Sequence, residues 1–127
     1  MPSQFDKGLE MRKSVLGEEY VEESFARATD FDRPFQEFIT ENAWGGVWTR
    51  GPLDKKTKSL ITLSVLVALR AEGEIGLHTR GAINNGVTPE EIVSLLIHAS
   101  AYAGVPPAVS SIKIVKKTLQ DMGELPS

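Results

Sequence analysis

Residues 72–106 read EGEIGLHTRGAINNGVTPEEIVSLLIHASAYAGVP and predict two helices joined by a tight turn. Gly86 suits the left-handed geometry in which many helices end, so the first helix is expected over about 74–85. Thr88 can accept a hydrogen bond from the amide of Glu91, and the Glu91 side chain can reach back to the amide of Thr88. This reciprocal pair predicts the start of the second helix.

Both histidines of the chain lie in this helix pair, one on each helix. His78 stands three residues after Ile75 and so borders the apolar stripe of its helix. His98 and Tyr102 are one turn apart on the second helix, on the same side as Glu91. Each histidine is either a hydrogen-bonded residue at the edge of the core or a functional one, and both interpretations stay open.

The rest of the chain predicts further helices and no convincing strand. Two short amphipathic helices are expected at 6–16 and 18–28, and another is expected from Asp32 to the paired glycines 45–46, with Phe35 and Phe38 in a buried stripe. A run that is apolar on nearly every side follows, and a last helix is expected after the prolines. The apolar run is too short to span a bilayer, which requires about 20 apolar residues. The apolar helix is expected at 54–69 and the final helix at 108–122.

Composition excludes several classes of function. The net charge of −3 without a basic block argues against nucleic acid as a partner. The chain has no cysteine, which excludes disulfides and thiolate nucleophiles and fits a reducing cytoplasm. Two histidines on separate helices, without HxH or HExxH spacing, make a bound metal unexpected. The charged N-terminus does not resemble an export signal, so we expect a cytoplasmic protein. We also expect that the protein binds no membrane and no cofactor.

Four candidate residues lie upstream, in the segment ENAWGGVWTR. Trp44 and Trp48 flank the paired glycines and are either anchors of a core or interface, or a flat apolar wall for a small ring. Arg50 would lie near the mouth of such a pocket, and Glu41 is a further pocket candidate. Large aromatic residues serve both roles, so the two interpretations are not exclusive.

A long pattern with fixed gaps runs through the helix pair, and two upstream segments extend it. On these residues the chain resembles the carboxymuconolactone decarboxylase family. The resemblance implies an all-α, alkylhydroperoxidase D-like fold of six to seven helices, a single domain over 1–127 with a helical arm at 1–30, and a homo-oligomer, commonly a hexamer. The matching segments are LHxRGAxNNGVT (77–88), EEI (90–92), YAGVP (102–106), MRKSVLGEEYVEESFARATDF (11–31) and AWxxVW (43–48).

The resemblance also implies a reaction, the loss of CO2 from 4-carboxymuconolactone to give the enol-lactone of β-ketoadipate in protocatechuate catabolism. Such an enzyme must hold two carboxylates, stabilise an oxyanion and return a proton to carbon. His78 is the expected proton donor or oxyanion partner, and Arg80 is expected to bind a carboxylate. The two stand about 200° apart on an ideal helix. Arg80 therefore serves a neighbouring subunit or forms a structural ion pair, for which Glu91 is the candidate.

Two alternatives remain beside this reading. Alkylhydroperoxidase D-like proteins reduce peroxides through a C-x-x-C-x-x-x-H motif, but this chain has Ala71 and Glu74 at the two cysteine positions. Peroxide reduction by that dithiol route is therefore disfavoured. A paralogue that acts on another small lactone or acid, or that has no catalytic role, is the second alternative. For the decarboxylase reaction, Glu41, Trp44, His98 and Tyr102 are the secondary pocket candidates.

Overall fold

The computed structural model describes residues 1–127 and contains helices but no strand. This confirms the predicted all-α class and the predicted number of helices. Two compact units divide the chain, an N-terminal unit (Met1–Asp54) and a C-terminal unit (Lys55–Ser127). That the whole chain forms a single domain stays a prediction. The elements are α1 (Gln4–Leu16), α2 (Glu18–Arg27), α3 (Arg33–Ile39), a π-helix (Thr40–Trp48), α4 (Lys55–Ala68), α5 (Glu72–Asn84), α6 (Pro89–Ala103) and α7 (Val105–Asp121).

The N-terminal unit is built around a crossing of α1 and the π-helix. Gly8 of α1 faces Gly45 of the π-helix so closely that a Cβ atom on Gly8 would lie 2.8 Å from the Gly45 nitrogen. Real Cβ atoms essentially never come this near to a backbone atom. The backbones of the two helices can therefore touch only because both positions lack a side chain.

Two predictions for this unit are wrong. The helix expected to end at the paired glycines continues to Trp48, because Gly45 provides a close helix contact and does not act as a stop. The stripe of Phe35 and Phe38 is not buried, since the two side chains are 63% and 62% exposed. Helical spacing placed these rings on one face correctly but could not tell that this chain leaves the face uncovered.

A charged side chain lies in the interior of the N-terminal unit. Arg12 is 4% exposed, and its guanidinium donates one hydrogen bond to Thr40 Oγ1 at 3.0 Å. The Phe25 ring lies 5.7 Å from the guanidinium carbon, within the range of a cation–π contact. Arg12 Nε has no acceptor, and burial lowers the pKa of the group. This unit thus encloses a cation without a carboxylate beside it.

The C-terminal unit has an aliphatic core. Helix α4 contacts α5, α6 and α7, and Leu63 on α4 is 1% exposed within that core. The apolar run predicted as a helix is therefore a helix. No helix of the chain has the length and apolar character that crossing a membrane requires. The buried members of the core are Leu63, Val67, Ile75, Ala82, Val87, Ile92, Leu96, Val115 and Leu119.

The turn between α5 and α6 has the predicted geometry. Gly86 adopts a φ of +89°, the left-handed region that glycine enters at little cost. Thr88 Oγ1 accepts a hydrogen bond from the Glu91 amide at 3.1 Å, and Glu91 Oε1 accepts one from the Thr88 amide at 2.9 Å. This capping box fixes where α6 begins and therefore which of its side chains face α4.

Candidate active site

A cavity of about 660 Å³ lies between α4 and α6 in the C-terminal unit. Aliphatic and alanine side chains form most of its wall, and a few polar groups interrupt them. Pockets for small ligands typically have this composition, in which apolar walls exclude water and sparse polar groups orient the ligand. The lining residues are Leu60, Ser64, Ala68, Glu91, Ser94, Leu95, His98, Ala99, Tyr102 and Ala103.

The polar groups of the cavity come mainly from one face of α6. Glu91, Ser94, His98 and Tyr102 follow one another at spacings of three or four residues, so they stack along the helix. The rings of His98 and Tyr102 are tilted against each other with centroids 5.3 Å apart. The structure therefore brings together two of the predicted binding residues, His98 and Tyr102, beside a ligand-sized space. That they bind a substrate stays a prediction.

Glu91 is held at two points. Its Oε1 accepts the amide hydrogen bond of the capping box, and its Oε2 lies 3.1 Å from Lys56 Nζ. The Thr88 amide, and next the Lys56 ammonium, lower the pKa of this carboxyl. An ion pair between Arg80 and Glu91 was a candidate from the sequence, and it is not present. Lys56 is the ionic partner of Glu91, and Arg80 is exposed on α5 without an ion pair.

His78 lies on α5 and is half-buried, outside the lining of the α4–α6 cavity. Burial lowers the pKa of its imidazole, and the negative charge of Glu74 acts in the opposite direction. The net effect favours the neutral ring near pH 7. The prediction that His78 borders the apolar stripe is confirmed, because Ile75 and Thr79 beside it are fully buried. Its catalytic role stays a prediction.

The other predicted site residues belong to the N-terminal unit. Trp44 is buried and stacks on Trp48, with ring centroids 5.0 Å apart and an angle of 19° between the planes. Glu41 and Arg50 are exposed at the surface. The stacked indoles are consistent with both interpretations offered by the sequence, an anchor and an apolar wall. Their contact with a substrate stays a prediction.

A sequence model of the carboxymuconolactone decarboxylase family matches residues 33–117. The chain belongs to the carboxymuconolactone decarboxylase family. The predicted resemblance is thereby confirmed, and with it the alkylhydroperoxidase D-like helical fold. The family match spans α3 to α7 and includes the helix pair of α5 and α6.

Relatives within the family are decarboxylases. The chain is 52% identical over 118 residues to the nitrosuccinic acid decarboxylase of Metarhizium robertsii, covering 93% of this chain and 82% of that protein. It is 42% identical over 122 residues to the 4-carboxymuconolactone decarboxylase of Acinetobacter baylyi, covering 96% and 91%. This family member is therefore a decarboxylase, a carboxy-lyase, and the similarity to two named activities leaves its substrate to be proposed.

Three polar contacts at the cavity of this family member were not predicted from the sequence. Ser64 and Ser94 line the cavity, and Lys56 pairs with the carboxylate of Glu91. The position of Ser94 could have been found, because it lies four residues before His98 on the same helical face. The contributions of Ser64 and Lys56 depend on how α4 packs against α6, which helical spacing within one element does not reveal.

Proposed function

We propose that the protein decarboxylates a small dicarboxylic acid without a cofactor, and that nitrosuccinic acid is the substrate. The observation that carries this proposal is the 52% identity to the nitrosuccinic acid decarboxylase over 93% of the chain. The cavity between α4 and α6 supports it, since its apolar wall and few polar groups suit a small acid.

The reaction needs no external electron acceptor. When the bond between the nitro-bearing carbon and its carboxylate breaks, CO2 leaves and the electron pair passes into the nitro group as a nitronate. A proton then adds to the same carbon, which gives 3-nitropropanoate. The protein must hold the carboxylate that stays, stabilise charge on the nitronate oxygens and supply one proton.

Groups along α6 could meet these demands. An imidazole and a phenol can each donate a hydrogen bond, so His98 and Tyr102 could donate to developing charge on oxygen. Both side chains are exposed in the single chain, Tyr102 by 84%, so these contacts would become stronger if association of subunits excluded water from them. In this proposal the tilted pair of rings is the oxyanion-binding end of the cavity.

The second candidate substrate is 4-carboxymuconolactone, favoured by the 42% identity that extends over 96% of this chain and 91% of the Acinetobacter baylyi enzyme. There the electrons released with CO2 would flow to the lactone carbonyl oxygen as a dienolate. Both substrates demand an anchored carboxylate, a stabilised oxyanion and a proton for carbon. One cavity could therefore serve either reaction with small changes in its shape.

Six further residues predicted from the sequence do not line the cavity of their own chain, so their proposed roles are at a site to which another subunit contributes. We propose His78 as a proton donor or oxyanion partner and Arg80 as a carboxylate ligand, with substrate contacts from Glu41, Trp44, Trp48 and Arg50. If His78 donates the proton, His78→Ala should lower kcat at least about a hundredfold while the circular dichroism spectrum stays unchanged. A kcat near that of the wild type would remove His78 from the mechanism.

We also propose that the chain works as a homo-oligomer, with six subunits as the number implied by the sequence resemblance. In the single chain Ile61, Val65 and Leu69 are 46%, 48% and 71% exposed. Apolar side chains exposed in such numbers are typical of an association surface. Light scattering coupled to gel filtration would give the mass, and a monomer at micromolar concentration would contradict the proposal.

A direct assay separates the candidate functions. The purified protein is incubated with nitrosuccinic acid or with 4-carboxymuconolactone, each with a metal chelator present, and product formation is followed by proton NMR. We expect 3-nitropropanoate to form with a kcat/KM at least about tenfold above that for the lactone. Turnover of the lactone alone would establish the second candidate, and a folded protein that consumes neither would overturn the decarboxylation proposal for both acids.

A further inference from the structure

The lining of the cavity between α4 and α6 has a charge of the same sign as the proposed substrates. Both proposed substrates carry two carboxylates, yet the lining includes the carboxylate of Glu91 and no lysine or arginine. Like charges at close range repel, and solvent weakens that repulsion only in part. A cation beside the cavity would therefore favour the binding of a dianion.

Lys56 contacts this lining through Glu91. Its Nζ atom lies 3.1 Å from Glu91 Oε2, and the two side chains are 42% and 38% exposed. The lysine ammonium has three donors on a flexible four-carbon stem, so one contact with Glu91 leaves it free to make others. Lys56 does not itself line the cavity, but its ammonium contacts the carboxylate of Glu91, which does.

Glu91 can release the ammonium without losing its own anchor. Its Oε1 accepts the Thr88 amide hydrogen at 2.9 Å whether or not Lys56 stays. The capping box thus fixes Glu91, while the more flexible Lys56 can turn toward a ligand. Partly exposed ion pairs contribute little to stability, so the ammonium can turn away at low cost.

The spacing along α6 fits a small dicarboxylate. Ser94 lies three residues beyond Glu91, about 4.5 Å along the helix axis, and His98 lies about 6 Å beyond Ser94. A carboxylate between Lys56 and Ser94 would therefore direct the rest of a short acid toward His98. One end of such a ligand would contact the ammonium of Lys56, and the other end would contact the hydrogen-bond donor His98.

We propose that Lys56, together with the Ser94 hydroxyl, binds the carboxylate that the substrate retains, and that Glu91 holds the ammonium beside the cavity until the acid arrives. The identity of this acid rests on the proposed function. Lys56 is in this view a substrate-binding residue that orients the acid, so that the reacting carbon faces His98 and Tyr102.

Succinate tests the proposal, because it has the two carboxylates of nitrosuccinic acid and no group that lets it react. Its affinity is measured by calorimetry for the wild type, Lys56→Met, Lys56→Arg and Lys117→Met. Lys117 is the matched control, since it pairs with Asp121 at 2.7 Å on α7 and lines no part of this cavity. We expect Lys56→Met to weaken binding at least tenfold, Lys56→Arg to restore most of it, and Lys117→Met to change nothing.

Glu91→Gln distinguishes ligand binding from a structural ion pair. Glutamine preserves the capping box but removes the charge that competes for Lys56. We expect this variant to bind succinate more tightly than the wild type, by about threefold or more. If the Lys56–Glu91 pair were only structural, the substitution would leave affinity unchanged or lower it, and either result would contradict the proposal.

Turnover adds a separate readout. With whichever acid the wild type decarboxylates, Lys56→Met should raise KM at least tenfold and change kcat less. Succinate binding that depends on Lys56 in a protein without decarboxylase activity would support the inference and refute the proposed function. Wild-type protein that does not bind succinate, or a folded Lys56→Met variant that binds it as tightly as the wild type, would overturn the inference.

Discussion

The two units of this chain are stabilised by different means. The C-terminal unit buries leucine, isoleucine and valine side chains from four helices in one aliphatic cluster. The N-terminal unit brings two helices into backbone contact at Gly8 and Gly45, and it encloses the cationic Arg12 with one hydrogen bond and one aromatic ring. Side-chain volume thus determines the first arrangement, whereas the absence of side chains permits the second.

The largest effect is expected in the aliphatic core. Leu63→Ala should destabilise the protein by about 2–5 kcal/mol, because Leu63 is 1% exposed and its truncation leaves a cavity. Val105→Ala, at the start of α7 and 61% exposed, should change stability by less than about 0.5 kcal/mol. Urea unfolding followed by circular dichroism gives both values. Equal losses in the two variants would mean that Val105 is also buried in solution.

Both tryptophans lie in the N-terminal unit, so their fluorescence reports on that unit alone. In Leu63→Ala the helical signal should shift to lower urea. If the fluorescence transition shifts equally, the two units unfold together. If it stays in place, the units unfold independently, and the difference in their construction is also a difference in cooperativity.

A smaller effect is expected from adding one methyl group to Gly8. Gly8→Ala should destabilise by about 1–3 kcal/mol, because the methyl group meets the backbone of the π-helix. Gly73→Ala is the matched control, since Gly73 is also helical but has no atom within 4 Å of its added Cβ. It should stabilise the protein by up to about 1 kcal/mol through helix propensity. Opposite signs are the expected result, and two stabilised variants would refute the close crossing.

The buried cation provides a third comparison. Thr40→Val removes the acceptor of Arg12 and leaves its charge unpaired, so it should cost about 1–3 kcal/mol. Arg12→Met removes the charge and retains most of the volume, so stability should change by less than about 1 kcal/mol. Thermal unfolding of the two variants gives the order. A greater loss from Arg12→Met would show that the guanidinium makes a net stabilising contribution.

The smallest effect is a dependence on pH in the C-terminal unit. Burial lowers the pKa of His78 in the folded state, so the unfolded chain binds the proton first as the pH falls. The stability associated with the neutral ring is complete above about pH 6.5 and is lost as the pH falls through the lowered pKa, by at most about 1.4 kcal/mol per pH unit. Urea midpoints between pH 5 and 7.5 should therefore fall less steeply in His78→Gln. Parallel curves would contradict this account.

Much of the fold could be predicted from the sequence, namely where helices begin, where they end and which aliphatic residues they bury. The capping box of Thr88 and Glu91, the stop at Gly86 and the apolar helix around Leu63 each depend on local chemistry that the sequence displays. The continuation of the helix through Gly45 could not be predicted, because the reason for that glycine lies 37 residues earlier, at Gly8. A residue used for close contact looks the same in a sequence as one used to end a helix.

The candidate site shows the same limit. His98 and Tyr102 were found because they share a helical face, and that face lines the cavity. The contact between Lys56 and Glu91 was not predicted, because it depends on how α4 and α6 pack against each other. The suggested partner for Glu91 was instead Arg80, chosen as a nearby cation in the sequence. Packing, not spacing, determines which charges meet.

The paired glycines of the N-terminal unit also restrict its mechanics. If α1 slid along the π-helix by one turn, about 5.4 Å, a bulky residue such as Gln4 or Arg12 would replace Gly8 at the point of contact. No space exists there for such a side chain, because backbone atoms already fill it. The two helices therefore have a single register. We expect α1 and the π-helix to move together as a rigid body.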